Sequence, residues 1–175
     1  LLKEQGASSS ERVVLVSPGA GGATKKWETE KFVQLCSVLR RQYRIILIGS
    51  KDHSCLTQYI LQHAGDTLLD LAGLTSLNQL ACLLGKSALL ITADTGTLQV
   101  ASYLNVPVVA LFGATNETKY GPWSKKYIVV KKDILCRPCN DAQCRRRSVE
   151  CMKRITVDDV LEAVDAILKV APDAR

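Results

Sequence analysis

The sequence predicts a single α/β domain of the Rossmann-like class, with about six parallel strands and helices on both faces. The first observation is that short apolar runs of strand length alternate with amphipathic helical stretches, which is typical of a parallel sheet covered on both sides. The second is the size and composition of the chain: 175 residues with 47% hydrophobic and 23% charged side chains suffice for one ordinary globular core.

Six apolar runs are the predicted strands: 13–16, 44–48, 68–71, 88–92, 106–112 and 127–130. Between them, apolar residues recur at spacings of three and four, which indicates helices with one buried face. The first helix, 28–42, is expected to bury Phe32, Leu35, Val38 and Leu39. A later helix, capped by Thr75 or Ser76, is expected to bury Leu77, Leu80, Ala81 and Leu84. The last helix, 157–170, is expected to bury Val160, Leu161, Val164, Ile167 and Leu168.

The net charge indicates which partners to expect, and the cysteine content indicates the cellular compartment. The excess of 23 Lys and Arg over 17 Asp and Glu gives a net charge of +6, which favours phosphates, nucleotides, nucleic acid or acidic lipid head groups as partners. Seven cysteines without a secretory pattern predict a reducing, cytosolic compartment. No apolar run approaches the roughly 20 residues that span a bilayer. Residues 1–11 are polar and aperiodic, so we expect an interdomain linker remnant followed by one domain at 12–175.

Two strand ends carry the residues of a candidate site. The run 88–92 leads into Asp94, Thr95 and Gly96, and the run 13–16 leads into the glycine-rich turn 17–22 and then Lys25. In an open parallel sheet, ligands bind beyond the carboxyl ends of the strands. Glycines let backbone amides approach an anion and Lys25 could neutralise it, while Asp94 could bind sugar hydroxyls. The alternatives are a mobile glycine loop with solvated lysines, and helix capping by Asp94.

Other polar and aromatic residues give weaker indications of a role in binding. Asp52 follows the second strand, where a carboxylate often binds a ribose, although Ser50 or Asp52 could equally be a helix cap. The two histidines, His53 and His63, are expected on the surface, and no triad spacing is present. Trp27 with Phe32, and separately Trp123, are expected to anchor their segments. Three further cysteines lie in helical patterns and are expected to face the core or to be inert: Cys36, Cys55 and Cys82.

Four more cysteines fall within one loop: Cys136, Cys139, Cys144 and Cys151. Their thiolates could form a tetrahedral site for structural zinc, with Arg145–Arg147 making the loop basic. This pattern supports an alternative function, a zinc-stapled basic module that binds nucleic acid. Buried free thiols, a redox-labile pair and a basic surface loop are the other interpretations.

The order of the motifs resembles that of the ADP-heptose:lipopolysaccharide heptosyltransferases, glycosyltransferase family nine. The matching segments are Ser17-Pro18-Gly19-Ala20, Lys25-Lys26-Trp27, Gly49-Ser50-Lys51-Asp52, Asp70-Leu71-Ala72-Gly73 with Thr75-Ser76-Leu77, Asp94-Thr95-Gly96, 107–115 and Gly121-Pro122. The resemblance covers nearly the whole chain beyond the linker, but only half of such an enzyme. It implies the C-terminal, donor-binding half of a GT-B glycosyltransferase, in which two Rossmann-like domains face each other across a cleft.

The resemblance also implies roles for individual residues. Lys25 would contact the phosphate or ribose of the nucleotide, and Thr95 with Gly96 would hold the diphosphate. Asp94 would bind the transferred sugar. Gln99 occupies a position where the family usually has histidine, and an amide can donate a hydrogen bond but carries no proton at neutral pH. The expected donor-binding set is Gly19, Ala20, Gly21, Lys25, Asp52 (ribose), Thr75 (adenine, through its backbone), Asp94, Thr95, Gly96 and Gln99.

The activity implied by the resemblance is transfer of heptose from an ADP-sugar to the lipopolysaccharide inner core, with inversion. The base would be an aspartate of an N-terminal domain that has no counterpart here, so no catalytic residue is expected in this chain and no cofactor is needed for the chemistry. We expect a cytoplasmic protein, peripheral at the inner membrane, that binds donor without turnover and binds no nucleic acid. A dinucleotide-dependent oxidoreductase ranks last because a clean G-x-G-x-x-G is missing.

Overall fold

One sheet of six parallel strands forms the centre of the protein, in the order β3-β2-β1-β4-β5-β6. The structure is a computed structural model that describes residues 12–65 and 67–169, so the predicted linker at 1–11 lies outside the described residues. The strands are β1 (Val13–Ser17), β2 (Arg44–Leu47), β3 (Leu69–Asp70), β4 (Leu89–Ala93), β5 (Val108–Leu111) and β6 (Tyr127–Val130). All six predicted strands are present, with ends that differ by a few residues.

Helices connect the strands and cover both faces of the sheet. They are α1 (Thr29–Leu39), α2 (Ser54–Ala64), α3 (Leu77–Lys86), α4 (Gly96–Tyr103), α5 (Glu117–Tyr120), α6 (Glu150–Lys153) and α7 (Val157–Lys169). Two short 3-10 turns, Ala23–Lys25 and Lys51–His53, follow β1 and β2. In the described part of the chain, no helix is both long and apolar enough to cross a membrane.

The strand order reverses beside β1. Val16 pairs with Leu47 of β2 on one side and with Ile91 of β4 on the other. The chain leaves β1 towards α1 on one face of the sheet and leaves β4 towards α4 on the other face, as their separate apolar clusters show. Because the two connections diverge, a crevice is left at the carboxyl ends of β1 and β4, where ligands of such folds bind.

Both faces of the sheet are buried, which explains why the strands read as continuous apolar runs rather than as alternating patterns. On one face, alternate strand residues such as Val14, Val16 and Ile91 pack against α1, α2 and α7. On the other face, Leu15, Ile46 and similar residues pack against α3 and α4. The core therefore fixes the strands rigidly beneath the crevice.

The residues that three helices bury differ in detail from those that the apolar periodicity predicts. In α1, Cys36 is buried and Val38 is exposed, because the helix ends at Leu39 and its buried face is centred on Phe32 and Leu35. In α3, Leu83 and Leu84 are buried, whereas Leu77 is exposed, since it is the first residue of the helix. In α7, Ala163 is buried and Leu161 is only partly buried, and the other predicted apolar contacts are present.

The structure also tests the predicted cap of α3, the two predicted tryptophan anchors and the predicted burial of three cysteines. Ser76, not Thr75, caps α3: its hydroxyl accepts from Gln79 N at 3.3 Å and its N–H donates to Gln79 Oε1 at 2.8 Å. Trp27 is an anchor as expected, with its ring edge-on to Phe32 at 4.8 Å. Trp123 is exposed, so its predicted anchoring role is wrong; its neighbours Pro122 and Ser124 are buried instead. Cys36 is buried, but the other two helical cysteines, Cys55 and Cys82, are exposed rather than core-facing.

Candidate functional site: the crevice between the first and fourth strands

A charged pair spans the crevice where the strand order reverses. The Nζ atom of Lys25 lies 2.7 Å from Oδ2 of Asp94, and it also donates to the backbone carbonyl of Asp94 at 3.4 Å. The Asp94 side chain is only 8% exposed, whereas that of Lys25 is 31% exposed. The pair is close in distance, but its angles do not satisfy hydrogen-bond geometry, and Oδ2 accepts no hydrogen bond within the described ranges. The carboxylate therefore keeps acceptor capacity at the crevice.

The end of β4 positions Asp94 without using it as a cap. Thr95 is the N-cap residue of α4, and no side chain caps this helix. The Thr95 hydroxyl instead shares a hydrogen bond with the hydroxyl of Thr92 at 3.1 Å. The capping role considered for Asp94 is thus not observed. The first backbone N–H groups of α4 have no intrahelical acceptor, and such groups bind anions well.

The turn that carries Lys25 is held by contacts from distant parts of the chain. The hydroxyl of Thr24 donates to the carbonyl of Asp141 at 2.8 Å, and the indole of Trp27 donates to the carbonyl of Ile155 at 2.9 Å. Gly113, just after β5, packs so closely beneath this turn that an added Cβ would lie 2.4 Å from the Thr24 carbonyl oxygen. The chain that carries Lys25 is therefore buttressed on both sides of it, at Thr24 and at Trp27.

The glycines around the crevice fall into two groups. An added Cβ at Gly21 or at Gly96 would meet nothing within 4 Å, so backbone on both sides of the crevice faces open space. At Gly19, an added Cβ would lie 2.1 Å from Nδ1 of His53. The missing side chain of Gly19 accommodates that ring, and a donor contact through the Gly19 backbone stays a prediction. Ala20 is also buried.

His53 is a residue of the crevice that the sequence did not indicate. It ends the 3-10 turn after β2, is half-buried against Gly19, and its Nδ1 lies 3.1 Å from the hydroxyl of Ser50. His63, in contrast, is exposed as predicted. The sequence shows that a histidine follows Ser50 by three residues. It does not show that His53 packs against Gly19, because only the fold brings the ends of β1 and β2 together. Asp52 lies in the same turn with an exposed side chain, and Ser50 makes no capping hydrogen bond.

The loop after β3 lies beside the loop after β2. Gly73 has a left-handed backbone with φ of 72°, its N–H donates to the carbonyl of Gly49 at 2.9 Å, and an added Cβ would lie 2.9 Å from Cα of Lys51. Thr75, half-buried, follows in this loop. The residues expected to bind ribose and adenine are therefore on the β2 and β3 side of the crevice.

Gln99 lies on the opposite side, in α4. Its Nε2 donates to the carbonyl of Tyr120 at 3.1 Å, so one amide N–H braces the C-terminal end of α5. Asp94, Thr95 and Gly96 are on the same side of the crevice because β4 leads directly into α4. The fold thus separates the expected sugar and diphosphate residues from the expected nucleoside residues, with Lys25 reaching across.

The cysteine loop adjoins the crevice through Thr24. Cys136, Cys139 and Cys144 lie in this loop, whereas Cys151 lies in α6 and not in the loop as expected. All four thiols are free and line one cavity of about 850 Å³. Backbone hydrogen bonds, first that of Val149, lower the pKa of the Cys144 thiol. Burial raises the pKa of the Cys151 thiol, and the neighbouring thiols raise it further. Among the residues that the structure describes, no three His, Cys, Asp or Glu side chains form a metal-binding group, so zinc at Cys136, Cys139, Cys144 and Cys151 stays a prediction.

One arginine of this loop has a structural role. The Arg137 side chain is 5% exposed, and its guanidinium donates to Glu117 Oε2 at 2.9 Å and to the carbonyls of Thr115 and Gly113. Burial tends to raise the pKa of the Glu117 carboxyl, but the hydrogen bond from Lys131 and the charges of Arg137 and Lys131 outweigh it and hold the pKa below its ordinary value. This network fixes the loop to the end of β5.

The sequence of this chain is similar to one protein family and to curated proteins that carry the name of that family. Residues 2–150 match the family described as glycosyltransferase family 9 (heptosyltransferase). Lipooligosaccharide heptosyltransferase 2 of Campylobacter jejuni is 26% identical over 167 residues, which cover 92% of this chain and 52% of that protein. Lipopolysaccharide heptosyltransferase 2 of Escherichia coli K12 is 29% identical over 91% of this chain and 48% of that protein.

Solved structures agree with these relatives. The structure of E. coli ADP-heptose lps heptosyltransferase II superposes with a TM-score of 0.81 at 26% identity, over 96% of this chain and 50% of that one. A glycosyltransferase family 9 structure from Veillonella parvula has a TM-score of 0.85 at 21% identity, over 97% of this chain and 49% of that one, and supports the fold. The predicted Rossmann-like fold is confirmed.

The chain spans about half the length of the curated relatives that it matches. The family match extends through Cys136, Cys139 and Cys144, and these comparisons give no support to the alternative of a nucleic-acid-binding module. Because the match covers most of the chain and the fold agrees, this chain belongs to glycosyltransferase family 9, the heptosyltransferase family.

Proposed function

We propose that this chain is the donor-binding half of a heptosyltransferase and that its ligand is an ADP-sugar, ADP-heptose in the complete enzyme. Two observations support the proposal. The family match and the name of the E. coli relative point to ADP-heptose. The charged pair of Lys25 and Asp94 lies at the strand reversal, between two glycines that face open space. The pair is the single observation that carries the assignment of the site.

The diphosphate binds between the glycine turn and the start of α4. Backbone N–H groups at Gly21 and Gly96 can approach phosphate oxygens because no side chain stands before them. The Lys25 ammonium supplies the positive charge and donates charge-assisted hydrogen bonds. A diphosphate competes with Asp94 for Lys25, and it carries more negative charge than one carboxylate.

Asp94 binds the sugar. When the diphosphate draws the ammonium of Lys25 towards itself, the Asp94 carboxylate is released to accept hydrogen bonds from ring hydroxyls. Its low exposure strengthens these bonds, since water competes less for a buried acceptor. Thr95 and Gly96 stay with the diphosphate, and Gln99 donates a hydrogen bond where the family usually has histidine.

The nucleoside occupies the β2 and β3 side of the crevice. Asp52 accepts hydrogen bonds from ribose hydroxyls, and the backbone at Thr75 contacts the adenine. The half-buried ring of His53 forms the floor between this side and the glycine turn. Ala20 and Gly19 support the turn from behind, because both are buried.

The chemistry of transfer needs the other half of the enzyme. An acceptor and a base must be held in line with the donor, and positioning of this kind accounts for much of the rate of group transfer. We therefore expect the isolated chain to bind donor with negligible turnover. In the complete protein the acceptor is the lipid-linked lipopolysaccharide core, which implies a cytoplasmic protein at the inner face of a membrane. The reaction needs no cofactor.

A thermal-shift panel tests the proposal with ADP, UDP, GDP and their sugars. A ligand that binds only the folded chain raises the midpoint of unfolding, and at equal concentration the ligand with the lower dissociation constant raises it more. ADP and ADP-heptose should give the largest shifts, and Asp94→Ala should retain the shift with ADP while losing the additional shift from the sugar. Equal binding of ADP-heptose by Asp94→Ala and the parent would remove Asp94 from the site.

Structural zinc remains a separate prediction. Three of the four thiols, those of Cys136, Cys139 and Cys144, also line a smaller cavity of about 410 Å³ beside the main one. Metal analysis of protein purified without chelator tests the prediction. One equivalent of zinc that is lost on Cys144→Ser would support it, and metal-free protein with full donor binding would exclude a required metal.

A further inference from the structure

One flank of the domain concentrates exposed aromatic and basic side chains. The aromatic-lysine flank consists of Tyr103, Trp123, Tyr127, Lys119, Lys125 and Lys126. Tyr103 is 91% exposed and Trp123 is 66% exposed, and the three lysines are exposed as well. The chain has only five tyrosines, two tryptophans and two phenylalanines. A third of its aromatic residues therefore face solvent on this flank.

The flank is one continuous surface because two segments are joined by hydrogen bonds. The N–H of Trp123 donates to the hydroxyl of Ser102 at 3.3 Å, and the N–H of Lys125 donates to Oδ1 of Asn105 at 2.9 Å. The bond from Gln99 to the Tyr120 carbonyl continues this series towards the crevice. The segment 119–127 thus runs along α4, from the level of the crevice to the opposite end of the strands, where the N–H of Val108 donates to the Lys126 carbonyl at 3.1 Å.

The charge of the flank has one sign. Residues 118–132 include five lysines and no Asp or Glu, and residues 95–116 carry no charged side chain. The nearest preceding carboxylate, that of Glu117, is already bound by Arg137 and Lys131. Lys119 lies over the ring of Tyr120 with its Nζ 5.2 Å from the centroid, so cation and aromatic side chains are interleaved.

We propose that the aromatic-lysine flank binds the surface of an anionic bilayer. Tyr and Trp side chains prefer the interface between head groups and acyl chains. Lysines beside them gain from the negative surface potential of anionic lipids. Charge complementarity and exposed aromatic rings together fit an anionic lipid surface. Single-stranded nucleic acid also contacts aromatic and basic side chains, and the lipid-linked acceptor of the proposed function favours the lipid surface. A second domain that closed the crevice would cover the carboxyl ends of the strands and leave this flank open.

This inference deepens the proposed function by naming the surface that holds the enzyme beside its lipid-linked acceptor. With the flank on the bilayer, the crevice opens along the membrane rather than away from it, because the flank runs parallel to the strands from the crevice to their opposite end. Lipid binding itself needs no nucleotide. The two proposals can therefore fail separately: donor binding is measured without vesicles, and vesicle binding is measured without donor.

The fluorescence of Trp123 measures whether the flank binds vesicles. The other tryptophan, Trp27, is buried with its indole bonded to Ile155, so a change in fluorescence on vesicle binding reports Trp123. The purified chain is titrated with vesicles of phosphatidylcholine alone or mixed with phosphatidylglycerol, and with brominated lipids that quench an inserted indole. We expect anionic vesicles to shift the emission to the blue, to quench it when brominated, and to lose affinity at high salt.

Two double variants decide which surface is responsible. Lys125→Gln with Lys126→Gln should weaken binding to anionic vesicles about thirtyfold, because two surface lysines are removed from the lipid potential. The matched control, Arg145→Gln with Arg146→Gln, removes the same charge from an exposed pair in the cysteine loop and should stay within about twofold of the parent. Both variants should keep the thermal shift with ADP, which shows that they are folded.

Three results would overturn the inference. Equal affinity for neutral and anionic vesicles would remove the electrostatic basis. Equal losses in the flank variant and the control would mean that net charge, not this surface, binds lipid. Tighter binding of single-stranded RNA than of anionic vesicles, lost on the same flank variant, would assign the surface to nucleic acid.

Discussion

The ammonium of Lys25 lies 2.7 Å from the carboxylate of Asp94, although the two residues are 69 positions apart in the sequence. The contact exists because β1 and β4 are neighbours at the strand reversal. It brings one positive and one negative group to the same crevice, next to backbone that faces open space at Gly21 and Gly96. This combination suits a ligand with an anionic diphosphate and a hydroxyl-rich ring.

Replacement of Lys25 tests the phosphate contact. Lys25→Met should weaken ADP binding about ten- to a hundredfold, because a hydrogen bond to a charged group is lost. Lys26→Met, one position further and exposed, is the matched control and should change ADP affinity by less than about twofold, as expected for an exposed charge. Titration calorimetry with ADP measures both. Similar losses in the two variants would mean that Lys25 acts only through net charge.

Gly113 tests how the Lys25 turn is supported. An added Cβ would lie 2.4 Å from the Thr24 carbonyl oxygen and 2.6 Å from Met152 Cγ, so Gly113→Ala should lower the free energy of unfolding by about 1–3 kcal/mol through overpacking. Gly85→Ala is the control, since an added Cβ there meets nothing within 4 Å inside α3. It should stabilise the protein by about 0.5–1 kcal/mol. Urea denaturation compares them, and an equally stable Gly113→Ala would contradict the packing described.

Glu117 links stability to pH. Its folded pKa lies below the ordinary value of 4.5, so its stabilisation is present above that pH and is lost as the pH falls through the folded pKa. Glu117→Gln should cost about 2 kcal/mol at neutral pH, because it leaves the guanidinium of Arg137 without its anionic partner. The difference from the parent should shrink as the pH falls below 4.5 and through the folded pKa. A difference that stays constant from neutral to acid pH would show that charge is not involved.

The pKa directions of three thiols, those of Cys144, Cys151 and Cys36, predict the order in which they react. Backbone hydrogen bonds lower the pKa of Cys144, whereas burial raises the pKa of Cys151 and raises that of Cys36 to about 12. At neutral pH, Cys144 therefore has the largest thiolate fraction of the three, and the thiolate is the reactive form. Alkylation followed by peptide mass spectrometry should label it first and leave Cys36 unlabelled in the folded protein. Labelling of Cys36 before Cys144 would refute this order.

Much of the fold could be predicted because both faces of the sheet are buried. Strands such as β4 are apolar at every position, and their alternation with helices specifies a parallel sheet. The position of Asp94 at the carboxyl end of β4 could be predicted because it follows the strand directly. His53 could not, since its place against Gly19 depends on the packing of β1 beside β2 rather than on any local pattern. For the same reason, periodicity placed Val38 wrongly, since it reports a helix face but not where that face ends. The expected anchoring by Trp123 is also wrong, because a tryptophan in a loop carries no local signal for the surface against which it packs.

The most direct test of the crevice is the amide spectrum of isotopically labelled protein during titration with ADP. At 19.1 kDa the chain is suited to two-dimensional NMR. Our account predicts saturable shifts centred on residues 20–25 and 94–98, on both sides of the Lys25 and Asp94 pair. No shifts at millimolar ADP, or shifts confined to the cysteine loop or to the aromatic-lysine flank, would contradict it.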